Sequence, residues 1–213
     1  MGYPQRVLTL AFLRPGPDDP PFNHLVAKAC KHGICHAEIV FEDSMAFSIF
    51  AGQSLFFKQR TFSNPEYELI SLSVSDSEYS AAYAFCRQAA QYDIHFTDAG
   101  MLAAYFQPKR CPCVNTAASL HSGATFCSKI VTEALQSAGV SEVEHLNPCT
   151  TTPSCLYDAV RDSQRKLLNS VPYKCNQLRQ IGALRASHSV SDYRSGSGYN
   201  GCRGTLGPKQ MRM

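Results

Sequence analysis

The sequence predicts an α+β protein with an antiparallel sheet, followed by a basic C-terminal tail that is mostly disordered. Three observations lead to this class. Short aliphatic or alternating runs separated by turn residues occupy residues 7–74 and are typical of strands. Apolar residues recur at helical spacing after Asp76 and after Cys127. From Ser187 onward few aliphatic residues occur, so this stretch cannot bury enough apolar surface to offset the entropy lost on ordering.

The strands are expected to form an antiparallel meander. Val7 to Leu13 is the first, and a proline-rich loop ends it. Four further runs rich in β-branched and aromatic residues follow, with turns such as Glu42-Asp43-Ser44 between them. These four predicted strands cover residues 34–41, 46–50, 54–62 and 67–74.

Helices are predicted where the apolar spacing changes to the helical period. The first runs from Phe22 to His32 and stops at Gly33. The second, residues 76–90, is capped by Ser75 or Asp76. Shorter helices are predicted at residues 97–106 and 153–160. Residues 107–123 are irregular and lead into the Cys127 helix, as an approach loop to an active site often does.

Charge is unevenly distributed along the 213 residues. The length favours one domain with an extension, which we expect to be a domain at residues 1–165 and a tail at residues 166–213. The tail has eight basic residues and one acid, a charge of +7, while the whole chain carries only +3. Such a tail favours weak contact with nucleic acid or an anionic surface; the alternative is a solvated extension.

Cys127 begins the helix that matters most for function. Apolar residues follow it at helical spacing, and Gly139 lies where a helix C-cap is expected. A thiol at a helix N-terminus is exposed to the positive end of the helix dipole and to unpaired N–H groups, which lower its pKa and can bind an oxyanion. The position predicts a nucleophile; the alternative is a cysteine that only packs beneath the helix.

A cysteine nucleophile needs an imidazole as base and a third group that orients the imidazole. His36 and Glu38 are two residues apart in a predicted strand, so they share a face at roughly 6.5 to 7 Å along the chain. This pair is the candidate base and orienting group. The alternative is a histidine with an unrelated role in the core or on the surface.

The ten cysteines do not predict a disulfide framework. The apolar run at residues 7–13 is too short for a signal peptide or a membrane span, so free thiols in an intracellular, cytoplasmic setting are expected. No pair of cysteines has the two-residue gap of zinc sites, so we expect no metal and no cofactor. The candidate zinc ligands are Cys111, Cys113, Cys149, Cys155, His121 and His145.

The order of these motifs resembles the circularly permuted NlpC/p60 branch of papain-fold thiol hydrolases. The resemblance rests on the segments 35–41, 126–135 and 152–157, with the histidine strand before the cysteine helix. It covers residues 7 to about 160. The branch includes bacterial and viral members and the lecithin retinol acyltransferase group, so a viral protein working in the host cytoplasm or the virion is one expectation.

The resemblance implies a papain-like fold and a thiol protease, amidase or acyltransferase. Cys127 would be the nucleophile and His36 the general base, with the oxyanion received by the Cys127 N–H. The branch usually supplies the third member from the strand after the histidine, where Ser48 and Gln53 are the polar residues. This sequence departs from that pattern, because Glu38 on the histidine strand is the favoured third member, with Ser48 next and Gln53 third. Tyr92 would contribute to the pocket wall. The substrate would be a peptide, another amide or a lipid acyl group.

A second function is compatible with the same residues. The chain could be a catalytically silent papain-fold module that binds without turnover and uses its basic tail to contact nucleic acid or a protein partner. Selective reaction of Cys127 with an alkylating reagent distinguishes the two, because only the enzyme needs an activated thiol.

Overall fold

The structure is a computed structural model that describes residues 5–62, 66–106 and 123–170, with side chains up to residue 164. Most of the predicted approach loop, residues 107–122, and nearly all of the predicted tail, from residue 171, lie outside the described residues. So do three of the residues weighed as zinc ligands, Cys111, Cys113 and His121.

A five-stranded antiparallel sheet organises the described part of the chain. Its strand order is β4-β3-β2-β1-β5. The strands are β1 (Gln5–Leu13), β2 (His36–Val40), β3 (Met45–Ser48), β4 (Phe56–Gln59) and β5 (Tyr67–Ser75). The α+β class with an antiparallel sheet is therefore confirmed, and the first four strands form the predicted meander.

The predicted continuation of the meander into residues 67–74 was wrong. Strand β5 pairs with β1 along its whole length, on the far side of the sheet from β4. This register places buried Ile70 opposite Leu10 and buried Leu72 opposite Leu8. The pairing buries apolar side chains on one face, whereas β4 offers only four residues and ends in exposed Lys58 and Gln59.

Five α-helices and two short 3-10 helices are present in the described residues. The α-helices are α1 (Pro21–Ala29), α2 (Asp76–Ala89), α3 (Asp98–Phe106), α4 (Cys127–Ser137) and α5 (Pro153–Ser170), and the 3-10 helices are Ser141–Val143 and Pro148–Thr150. Helix α2 begins with the predicted cap: Ser75 Oγ accepts from the Glu78 N–H, and the Glu78 side chain accepts from the Ser75 N–H.

Two features differ from the predicted elements. Helix α5 continues to Ser170, beyond Val160 and across the expected domain boundary at residue 165. Nothing in the sequence stops it there, because residues 161–169 contain neither glycine nor proline. The segment before α4 forms a short strand, β7 (Ala124–Thr125), parallel to β6 (His95–Phe96). Two-residue strands are too short to show a period.

Helix α4 lies against β2 and β3 and also contacts α2. Eight of its eleven residues are buried, including the polar Ser128 and Thr132. Ser128 Oγ donates to the Thr151 carbonyl at 2.7 Å, and Thr132 Oγ1 donates to the Ser128 carbonyl at 2.7 Å. These bonds satisfy the buried hydroxyls and fix the N-terminal turn of α4 beside the sheet.

Within the described ranges, no helix is both long enough and apolar enough to cross a bilayer. No disulfide joins any of the six cysteines described there, and no cluster of three potential metal ligands occurs among the described residues.

Candidate active site

Strand β2 and helix α4 bring His36 and Cys127 together. His36 is the first residue of β2, and Cys127 is the first residue of α4, which packs on that strand. Cys127 lies close enough to the His36 imidazole for its charge and its hydrogen-bonding capacity to raise the pKa of that imidazole. Both residues are buried, His36 being 4% exposed and Cys127 1%. The structure thus brings the two principal predicted residues into direct contact.

Glu38 lies on the other side of the imidazole. Its Oε1 is 3.4 Å from His36 Nε2, as expected for residues two apart on one face of a strand. At this distance Nε2 forms an ion-pair contact with Glu38 but no hydrogen bond within the described part of the chain. The imidazole therefore has a thiol and a carboxyl group as neighbours.

The neighbours of His36 favour its protonated form. Burial lowers the pKa of His36, but the charge and hydrogen bond of Cys127, followed by those of Glu38, outweigh it and raise the pKa to about 9. A protonated imidazole beside the sulfur stabilises a negative charge there and carries a proton that it can later donate.

Two residues that the sequence did not suggest surround Glu38. Tyr67 donates from its hydroxyl to Glu38 Oε1 at 3.1 Å, and Arg60 Nε lies 3.4 Å from Oε2. Burial and the charge of Glu38 raise the pKa of Tyr67 above its usual range. No local sequence signal identifies Tyr67: it reaches Glu38 because β5 pairs with β1, which puts Tyr67 opposite Leu13, and Leu13 is itself opposite His36.

An aromatic stack and a cleft adjoin the imidazole. The Phe50 ring stacks on His36 with ring centres 4.1 Å apart and planes at 20°, and Phe56 stacks on Phe50 at 5.5 Å. Phe50 also lines an open cleft of about 450 Å³, together with Leu13, Asp19, Gln53, Arg60 and Tyr67. The cleft therefore reaches the residues that contact both His36 and Glu38.

No family model, curated protein or solved structure matches this chain. The resemblance to the permuted NlpC/p60 branch stays a prediction. The geometry of the site is therefore the only basis for a functional proposal.

The remaining candidates occupy different positions. Ser48 is buried, and its Oγ donates to the Ala37 carbonyl at 2.6 Å, so its hydroxyl is bonded to the backbone of β2. Gln53 is exposed in the wall of the cleft. Of the three residues considered as the orienting group, the geometry brings Glu38 to the imidazole. Tyr92 lies in the turn after α2, is 40% exposed and is not among the residues lining the cleft.

Two other buried thiols are held in the neutral form. Burial and the charge of nearby Cys127 raise the pKa of Cys35 to about 12. Burial in the middle of α2 raises the pKa of Cys86 well above its usual range. Neither thiol is therefore available as a thiolate near neutral pH.

Proposed function

We propose that this chain is a cysteine-dependent hydrolase or acyltransferase with a permuted NlpC/p60-like papain fold, acting on an amide or ester bond. The observation that carries the proposal is the placement of the His36 imidazole between Cys127 and Glu38. A thiol, an imidazole and an orienting carboxyl group in contact are the parts that nucleophilic thiol catalysis requires.

In this reaction the Cys127 thiolate attacks the carbonyl carbon of the substrate. The resulting oxyanion collapses as the leaving amine or alcohol takes the proton from His36, and a thioester to Cys127 remains. His36 then removes a proton from water or from another acceptor, which attacks the thioester and releases the acyl group. Cys127 and His36 return to their starting states. Water as acceptor gives hydrolysis, and any other acceptor gives acyl transfer.

The start of α4 supports the oxyanion step. Cys127 is the first helical residue after the N-cap Phe126, and N–H groups of the first turn have no partner inside a helix. The Cys127 N–H is thus a candidate donor to the oxyanion formed at its own sulfur. The cleft beside Phe50 is the proposed binding place for a peptide, amide or lipid acyl group. The reaction needs a reduced Cys127, which fits an intracellular compartment.

Burial of the reacting pair favours a second candidate function. With Cys127 1% and His36 4% exposed, the chain could also be a silent papain-fold module that binds partners through its surface and its basic tail. Both candidates share the fold but differ in whether a reagent reaches an activated thiol.

Selective alkylation tests the enzyme proposal. Iodoacetamide at neutral pH, followed by peptide mapping, should label Cys127 faster than the other nine cysteines. His36→Ala should slow that labelling roughly 100-fold, within the range of removing a general base. His24→Ala, an exposed histidine of α1, should not. The half-buried Cys149 is an internal reference. Uniform slow labelling would reject the enzyme and leave the binding module.

A substrate screen then identifies the reaction. Peptide, cell-wall amide and phospholipid substrates are compared between the unmodified chain and Cys127→Ser. Turnover that the substitution abolishes names the substrate class, and a trapped acyl group on Cys127, seen by mass spectrometry, separates covalent catalysis from a contaminating activity.

A further inference from the structure

We propose that Arg60 and Tyr67 are positioning residues: they hold the Glu38 carboxylate against His36 and thereby set the reactivity of Cys127. The inference rests on the proposed function, since it assigns a role within the same site. It concerns residues that neither touch the sulfur nor form part of the triad-like set of Cys127, His36 and Glu38.

Burial of Glu38 makes its carboxylate dependent on neighbouring groups. Its side chain is completely buried, and a buried carboxylate is retained only if charged or hydrogen-bonding groups compensate for lost water. Three groups do so, each from a different part of the sheet: His36 from β2, Tyr67 from β5, and Arg60 from the end of β4.

The contacts of Glu38 also fix the orientation of its carboxyl group. Oε1 of Glu38 faces both His36 and the Tyr67 hydroxyl, whereas Oε2 faces Arg60. Arg60 Nη2 also donates to the Tyr67 oxygen at 3.3 Å, which closes a ring of contacts around the carboxyl group. With each oxygen directed to a different partner, the carboxylate cannot rotate away from the imidazole without losing contacts on both sides.

Arg60 is itself held in place by its backbone and ring contacts. Its backbone N–H donates to the Ser44 carbonyl at 3.0 Å, and its guanidinium lies 5.0 Å from the Phe50 ring centre and 5.6 Å from that of Phe56. Phe50 is the ring that stacks on His36. Arg60 therefore contacts the two groups that flank the imidazole, namely the Glu38 carboxylate and the Phe50 ring.

Arg60 also lies between the buried carboxylate and the open cleft. Its side chain is 21% exposed and lines the cleft, while Glu38 is inaccessible. The guanidinium thus separates the carboxylate from solvent, so its removal should both admit water to Glu38 and release the Phe50 stack. A purely structural role for Arg60 would instead affect stability and leave the Cys127 thiol unchanged.

A double-mutant cycle on thiol reactivity separates these roles. The measured quantity is the rate constant for iodoacetamide at Cys127 in the full chain, followed over a pH series. Glu38→Gln and Arg60→Gln should each slow the reaction roughly 10- to 100-fold at neutral pH, as for other partners that orient a functional histidine. The double variant should be no slower than Glu38→Gln alone, within about twofold, because Arg60 acts through Glu38.

Conservative variants and a matched control complete the experiment. Arg60→Lys should recover part of the rate, since it keeps the charge but loses the planar fork. Tyr67→Phe removes only the hydroxyl and should give a loss of about threefold, consistent with one hydrogen bond. Lys58→Gln removes an exposed cation on β4 and should react like the unmodified chain. Arg60→Lys and Tyr67→Phe change side-chain volume only slightly, so they test the positioning role of Arg60 and Tyr67 if Arg60→Gln does not fold.

Several results would overturn the inference. One is an Arg60→Gln rate within about twofold of the unmodified rate; another is a double variant in which the losses of Arg60→Gln and Glu38→Gln multiply. A lower melting temperature with an unchanged rate profile would assign Arg60 a structural role only. If His36→Ala slows Cys127 but Arg60→Gln does not, the proposed function stands and this inference fails. If Cys127 reacts no faster than Cys149 in the unmodified chain, both fail.

Discussion

Replacing Glu38 with glutamine should lower the pKa of His36. The pKa of this imidazole is raised from 6.5 to about 9, with Cys127 the larger favourable cause and Glu38 the smaller, both opposed by burial. The whole difference corresponds to roughly 3 kcal/mol. Glutamine keeps the shape but removes the charge, so we expect the pKa of His36 to fall by the part of this difference that Glu38 supplies, while Cys127 still holds it above 6.5.

The same change alters how stability depends on pH. Because the folded-state pKa of His36 is raised, the stabilisation from its protonation is complete below about pH 6.5 and is lost as the pH rises to about 9. The free energy of unfolding should therefore fall across this window, by at most roughly 3 kcal/mol from this group. In Glu38→Gln the fall should be smaller, because one of the two groups that raise the pKa of His36 is gone.

Two measurements check the prediction. NMR titration of the imidazole ring protons gives the pKa directly, with the His36 signal assigned by its loss in His36→Asn and with exposed His24 as control. Urea unfolding at about pH 6 and about pH 9 gives the change in stability, and the difference between the unmodified chain and Glu38→Gln isolates the contribution of the pair. The reasoning fails if His36 titrates near 6.5 in the unmodified chain, or if Glu38→Gln leaves its pKa unchanged or higher.

Three further substitutions test the surroundings of the site by urea unfolding. Ser48→Ala should cost about 1 to 3 kcal/mol through loss of the buried hydrogen bond to Ala37, yet leave Cys127 alkylation within about twofold; a large loss of reactivity would make Ser48 part of the site after all. Ser75→Ala should cost about 1 kcal/mol because it removes the cap of α2, and a neutral result would show that the capping box adds nothing. Gly139→Ala should lower the free energy of unfolding by about 1 kcal/mol or more, because φ at this residue is +81°, a conformation that alanine adopts only with strain. An added Cβ would meet no atom within 4 Å, so the strain lies in the backbone alone, and an unchanged stability would contradict this reasoning.

Local patterns were sufficient to predict much of the fold. Strand β1 and helix α4 were predictable because each has a regular apolar period and a clear stop signal, the proline-rich loop in one case and Gly139 in the other. Placement of His36 and Glu38 on one face needed only the two-residue period of a strand. These predictions need only the spacing of residues that are close together in the sequence.

Tertiary pairing could not be predicted in this way. Nothing in residues 67–75 distinguishes a strand that continues the meander from one that returns to β1, and this choice places Tyr67 beside Glu38. Arg60 directly follows the polar residues Lys58 and Gln59, which are exposed, so its local context indicates a surface cation. Its approach to a buried carboxylate comes from the packing of Phe50 and Phe56, which no local pattern encodes.

The contrast between Cys127 and its neighbour Cys35 explains why one thiol of this pocket should react and the other should not. Both are buried, but Cys127 lies beside His36 and raises its pKa, whereas the Cys35 thiol donates to the Leu13 carbonyl at 3.5 Å. Negative charge on Cys127 raises the pKa of Cys35, because two thiolates so close together in a buried pocket would repel each other. Cys35 therefore keeps its proton whenever Cys127 loses one, and the pocket holds a single nucleophile. Removing His36 should consequently slow alkylation at Cys127 without transferring it to Cys35, and labelling that moved to Cys35 would show that the imidazole does not select the reactive sulfur.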